Sequence, residues 1–430
     1  MTIFLFLTAF IIFVLSCYFF KSGTHPAVLF SGVWTVIFFL YALQLFETIP
    51  LTRQMANILF LMVVCFSAGS VAYWLYGKKL LSFFKRKELS EASFKVEYSL
   101  RTKLFLALSF VTIIVMFKDE MSIIEKLLRG ASYKDITHDA GGQKTVEIKG
   151  LAQGFVYMFA VYPMRTIVSP VCAVEFFSRK DNKKYLFLII NAVIVFLNVA
   201  HHGGRDPLIV MVASYVVTYS LIRNKITIST AMKKGLLIAL LSAASIIMFL
   251  SISRGISDVY LSFYAYLICS IPLGQNFLSD PFVSSHYTFG FSSFLGVKPL
   301  FMILDIFGIQ SPEKYLDAMT IREDIIGTYY PIGDYNVTSM NSCISPGAIA
   351  YIDGGYIGEV IIMFLYGFVC TWLFYKQKGA FSKKYVAVYV TFAYRLITSF
   401  GGFAFTTNIY LVGAVYMLTF IYSRKTRVKE

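Results

Sequence analysis

Along this chain, apolar runs of about 15 to 25 residues follow one another from the first residues to the last, and many of the segments between them are short and basic. A helix needs roughly 20 residues to cross about 30 Å of hydrocarbon. Backbone N–H and C=O groups find no water at that depth, so a spanning chain satisfies them within helices. The runs fall at approximately 2–20, 27–46, 54–76, 101–117, 151–177, 185–200, 208–222, 235–252, 351–375, 385–401 and 404–422. The expected fold class is all-α: a polytopic integral membrane protein with about 11 transmembrane helices, forming a single domain over residues 1–430.

Composition excludes the soluble alternative, because 57% of the residues are hydrophobic, 15% are charged and the mean hydropathy is +0.67. The net charge of +15 is no nucleic-acid signature, since the cations lie between apolar runs. Lys78, Lys79, Lys85, Arg86 and Lys87 form one such group, and Arg179, Lys180, Lys183 and Lys184 another. Further groups are Arg223, Lys225, Lys233 and Lys234; Lys376, Lys378, Lys383 and Lys384; and Arg424, Lys425, Arg427 and Lys429. Basic segments stay in the cytoplasm, which places the N-terminus in the periplasm and the C-terminus in the cytoplasm. No basic region precedes the first run, so Thr2 to Phe20 reads as a retained helix. Six cysteines without CxxC or metal-like spacing argue against a disulfide framework or a zinc site.

The segment Val259 to Leu273 is apolar enough to count as another crossing, but it is short, rich in tyrosine and ends in Pro272 and Gly274. A crossing there would also turn the flanking basic segments to opposite sides. It is expected to lie on the outer side as an interfacial or re-entrant helix. Two external loops remain, 118–150 and 253–350. The second carries Phe277, Phe282, Tyr287, Phe289, Phe291 and Phe294, enough apolar surface to pack over a site. The first is more polar and mixed in charge, open to reading as a solvated lid or as a plain loop.

Chemistry concentrates at the outer ends of the runs. His201-His202-Gly203-Gly204-Arg205-Asp206-Pro207 is a polar turn between two of them, and Arg254-Gly255 closes another. Forked guanidinium groups beside glycines suit a phosphate or pyrophosphate approached closely. A turn with its charges in the headgroups reads as well from Arg205 alone. Arg165, between Pro163 and Pro170, and Arg395 lie inside runs, where an ionisable residue faces a cavity or a partner. Asp206 and Asp258 each follow an outer arginine, and His286 sits in an aromatic setting. No HExxH, Walker or dinucleotide-binding pattern occurs, and no acidic pair marks a metal and nucleotide-sugar site.

Together the Gly-Gly-Arg turn at 203–205, Ser253-Arg254-Gly255, the tyrosine-rich stretch to Pro272, HYTFGFSSF at 286–294 and Tyr335-Asn336-Val337 before Asp353-Gly354-Gly355-Tyr356-Ile357-Gly358 form a pattern that resembles the bacterial O-antigen polymerases of the Wzy type, best over residues 190–375. His201 and His202 stand where members of that family often keep a small residue. The resemblance implies a metal-independent glycosyltransferase of the bacterial inner membrane, without cofactor. Its substrates would be oligosaccharide repeat units on undecaprenyl pyrophosphate, joined at the periplasmic face, with membrane lipids and a chain-length regulator as further partners. Arg205 and Arg254 would hold the leaving pyrophosphate, with Arg165 and Arg395 as additional contacts. Asp206, Asp258 or His286 would take the proton of the attacking hydroxyl, and Tyr264 and Tyr287 would pack on sugar or prenyl groups. An O-antigen ligase shares the donor and differs in the acceptor; a flippase or secondary transporter would also have many spans, although no repeated halves are visible.

Overall fold

The computed structural model describes residues 1–45, 48–85, 94–128, 151–202, 206–222, 259–333, 339–341, 343–379, 382–406 and 408–428, and the chain is predominantly helical. Among these residues six helices are long and apolar enough to cross a membrane: Thr2–Phe20, Pro26–Leu43, Arg53–Gly77, Gln153–Ser178, Lys183–Ala200 and Pro346–Gln377. Asp206–Ile222 and Tyr410–Ile421 are shorter apolar helices. The expected run 235–252 and most of the loop 118–150 lie outside the described residues. The run expected at 385–401 ends early: its helix stops at Ile397, and a 3-10 turn at Ser399–Gly401 leads to Gly402 at φ 135, a conformation that favours glycine.

Two compact units partition the chain, and each is discontinuous in sequence. The first comprises Met1–Ala92, Asp258–Lys376 and Arg395–Leu411. It opens with α1 (Thr2–Phe20), α2 (Pro26–Leu43) and α3 (Arg53–Lys85). The His25 side chain caps α2 by accepting from the Ala27 N–H, and Pro26 fills the first turn, where no N–H is needed. The second unit comprises Ser93–Ser257, Gln377–Tyr394 and Val412–Glu430. It contains β1 (Phe94–Leu100), α4 (Thr102–Leu128), α5 (Leu151–Val156), a π-helical turn (Tyr157–Val161), α6 (Tyr162–Ser178), α7 (Lys183–His202) and α8 (Asp206–Ile222).

Returning to the first unit, the segment after residue 258 folds as α9 (Val259–Ile268), α10 (Ser270–Leu278), α11 (Pro281–Ser285), α12 (Lys298–Ile306) and α13 (Glu313–Gly327). Helix α9 runs into α10 through Cys269, whose backbone stays helical: its N–H donates to Ala265 O and its carbonyl accepts from the Leu273 N–H. The two helices lie against the α2–α3 connection: Tyr264 Oη donates to Leu40 O, Gln275 Nε2 donates to Pro50 O, and the Thr52 N–H donates to Gln275 Oε1. A β-bridge joins Thr48 to Gly333. A short hairpin of β2 (Tyr330–Pro331) and β3 (Ser339–Met340) precedes the long helix α14 (Pro346–Gly379).

Helix α14 is interrupted at Gly354 and Gly355, the latter at φ 61. Past the break it meets α3 backbone to backbone, since a Cβ on Gly69 would collide with the Phe364 carbonyl and one on Gly367 with that of Phe66. The Ser70 hydroxyl, inside this crossing, donates 3.3 Å to Gly367 O. Small residues that let two helices approach this closely are the usual contact in a bilayer, where apolar burial alone drives little association.

The second unit is completed by α15 (Lys383–Ile397) up to Tyr394 and by β4 (Tyr422–Val428), while α16 (Asn408–Tyr416) bridges the boundary. Strand β4 pairs antiparallel with β1 from Phe94↔Val428 to Leu100↔Tyr422. No strand was expected here. The signal was masked by charge, because SRKTR in β4 reads as a solvated tail rather than a period-two strand.

Candidate functional site

In the first unit, α13 carries a cation into a pocket. Tyr315, Ala318, Arg322 and Ile325 recur at helical spacing, so the face that buries Tyr315, Ala318 and Ile325 also carries Arg322 inward. The pocket is small, about 10 Å³, and mostly apolar; Ser292, Leu295, Ala318, Arg322, Ile349 and Thr406 are among the residues that line it. Arg395, 9% exposed, lies close enough to Arg322 to repel it, and burial together with that repulsion pushes the Arg322 pKa down to about 10. Arg322 therefore remains a cation at neutral pH. Arg395 stacks its guanidinium 4.8 Å from the Tyr410 ring centroid. Gly402 leaves the space it needs, for a Cβ there would meet Arg395 Nη2 at 3.3 Å. Cys343 lies within electrostatic reach of both arginines.

The wall beside this pocket is organised by Asp353, 2% exposed, at the break in α14. Its Oδ1 accepts from Thr288 Oγ1 at 2.6 Å and from the N–H groups of Gly290 and Ser292 at 2.9 Å. Its Oδ2 accepts from the Ser293 N–H at 2.9 Å. Four donors on one buried carboxylate fold the stretch 288–293 around it. Phe289 is left 73% exposed at φ 51, a conformation a bulky residue rarely takes.

The second unit holds a polar cluster of its own. Pro163 has no N–H for the carbonyl of Phe159, four residues earlier, and the Tyr416 hydroxyl donates to that carbonyl instead. The π-helical turn Tyr157–Val161 directly precedes it, and such turns recur at functional sites. Just beyond, the Arg165 guanidinium lies 5.8 Å from the Tyr162 ring centroid, with its Nε buried and unpartnered. Tyr157, Asp119 and Asp206 lie within its electrostatic reach. The Tyr157 hydroxyl donates to the Asp119 carboxylate, and the Tyr394 hydroxyl to that of Asp206.

Of the residues singled out in the sequence, Arg165 and Asp206 thus fall in one cluster and Arg395 in the other. Arg205, Arg254 and Asp258 lie outside the described residues. His286 is half-buried, stacked on Phe282 at 4.4 Å, with Nδ1 2.9 Å from both Ser285 Oγ and Phe282 O. Tyr264 is only 5% exposed, and its hydroxyl is spent on Leu40 O and the Leu45 N–H, which makes it a packing residue between α9 and the end of α2. Tyr287 is 43% exposed, with its hydroxyl over Gly355. Sequence reasoning missed Arg322 because Arg322-Glu323-Asp324 reads as a solvated charged face. The spacing of Tyr315, Ala318 and Ile325 was the signal that could have found it. Searches of protein-family models, curated proteins and solved structures found no match to this chain.

Proposed function

We propose that this protein is a polymerase of the bacterial inner membrane that joins oligosaccharide repeat units carried on undecaprenyl pyrophosphate at the periplasmic face. The observation that carries the reading is that Arg322 and Arg395 lie close enough to repel each other. Two guanidinium groups within electrostatic reach of each other suit a polyvalent anion. In the reaction, the anomeric C–O bond to the pyrophosphate breaks while a hydroxyl of the acceptor sugar forms the new glycosidic bond. The hydroxyl proton passes to a base, with Asp206, Asp258 and His286 as the choices. The leaving lipid pyrophosphate gains negative charge, which the arginines stabilise.

Orientation follows the basic segments, with residues 253–350 periplasmic. Three contacts within the units support it. Residues 259–333 bond to the α2–α3 connection, which this topology places outside. Strands β1 and β4 pair on the side assigned to the cytoplasm. Glu175, at the cytoplasmic end of α6, pairs with Arg179 and Lys383 in the basic segments.

Deletion of the gene tests the activity. A surface polysaccharide one repeat unit long is the expected phenotype. Complete loss of attached polysaccharide identifies a ligase instead, and repeat units accumulating on the cytoplasmic leaflet identify a transporter.

A further inference from the structure

Cys269 sits between α9 and α10, and Cys343 just before α14, 74 residues later. The fold nevertheless buries both in one cluster with Ala265, Leu273 and Ile332. Both are reduced thiols in the structure, 0% and 5% exposed, and the Cys269 thiol donates to Tyr266 O at 3.1 Å. The other four cysteines have no such neighbour to pair with: Cys17, Cys65, Cys172 and Cys370 lie within α1, α3, α6 and α14, on helices assigned to the membrane. We propose that Cys269 and Cys343 are a modification site, oxidised to a disulfide by thiol–disulfide exchange with the disulfide form of an oxidoreductase of the periplasm. The proposal rests on the reading above that residues 253–350 lie outside the cytoplasm, where disulfides form and persist.

One cysteine of the pair, as its thiolate, attacks a sulfur of the incoming disulfide and expels the partner sulfur as a thiolate. The other then loses its proton and attacks the cysteine sulfur of the mixed disulfide, expelling the second thiolate. Two cysteines are oxidised to one disulfide, the external disulfide is reduced to two thiols, and their protons are conserved. Because both sulfurs are buried once the segment has closed, exchange belongs to its folding. The ring so formed encloses α13, and with it Arg322.

The test is a thiol count on the full-length chain. Free thiols are blocked with N-ethylmaleimide on denaturing intact cells, the protein is then reduced, and newly freed thiols are tagged with a polyethylene-glycol maleimide. Two of the six cysteines should take the tag only after reduction. Cys269→Ser or Cys343→Ser should each abolish both tags, whereas Cys17→Ser should leave two. If all six react before reduction, the proposal is overturned, and this readout on the wild-type chain needs no variant to fold. A Glu313→Cys variant probed with a membrane-impermeant maleimide separates the causes. Labelling of residue 313 from outside, with all six native thiols free, rejects the disulfide alone; no labelling until the inner membrane is opened rejects the topology as well.

Discussion

The carboxylate of Asp353 reaches the backbone N–H of Ser293, 60 residues earlier, at 2.9 Å, and so ties the break in α14 to the stretch that borders the Arg322 pocket. Asp353→Asn replaces one acceptor oxygen by an NH2 group, which must face donors already present. A buried donor left unsatisfied costs about 1–3 kcal/mol. We expect a lower thermal midpoint for the purified protein in detergent, and easier proteolysis between residues 286 and 294. Asp353→Ala should be worse, since all four donors lose their acceptor. An unchanged midpoint in both variants would show that the stretch is held by other contacts.

Helices α3 and α14 offer a sharper steric test. A methyl group on Gly69 or Gly367 meets backbone carbonyl rather than a movable side chain, so the helices must separate. Gly69→Ala and Gly367→Ala should each destabilise by about 1–3 kcal/mol, as overpacking does. Gly23→Ala, where nothing lies within 4 Å, should leave stability nearly unchanged. Equal midpoints for all three variants would contradict the close approach.

Glu175 is fully buried, bonded to Arg179 at 2.6 Å and to Lys383 at 3.1 Å, and those partners keep 21% and 26% of their side-chain surface in solvent. Glu175→Gln strands two cations that can still reach water. Removing both cations strands a carboxylate that cannot. The double variant Arg179→Gln, Lys383→Gln should therefore lose more stability, by up to about 3–5 kcal/mol, than Glu175→Gln does. The reverse order in thermal unfolding would mean that water reaches Glu175.

How much of this was legible in the chain differs between its parts. Length and apolarity located the long helices, because spanning hydrocarbon leaves few other backbone solutions. The proline and tyrosine content of 259–273 reads as an interfacial or re-entrant helix, and the segment is helical as α9 and the start of α10. The arginine in the pocket was hidden because the inward turn of Arg322 depends on which face of α13 packs against the rest of its unit, and two acidic neighbours disguised that face. Asp353 was visible only as one aspartate among several, since its donors come from residues 60 to 65 positions away. The exchange of a helical bond for a tyrosine at Phe159 is of the same kind: Pro163 announces the missing N–H, but only the fold supplies Tyr416.

For the arginines, charge and geometry make different forecasts. A pyrophosphate leaving group gains charge as the glycosidic bond breaks, so donors aimed at it favour the transition state over the bound substrate. Arginine offers two parallel N–H bonds from a planar group, whereas lysine offers a point charge on a flexible stem. Arg322→Lys and Arg395→Lys should then recover little of the turnover lost in the alanine variants, and the same is expected at Arg205 and Arg254. Losing one such donor costs on the order of a hundred-fold in rate, enough to move the product from long chains to single units. A headgroup anchor behaves otherwise, since lysine serves there nearly as well as arginine. The measurement is the polysaccharide length distribution for arginine, lysine and alanine at all four positions, normalised to membrane-inserted protein. Full-length chains from the lysine variants would remove the role of the fork. Full-length chains from both Arg322→Ala and Arg395→Ala would take the pocket out of the reaction, and a loss confined to Arg205 and Arg254 would move the pyrophosphate to the outer turns.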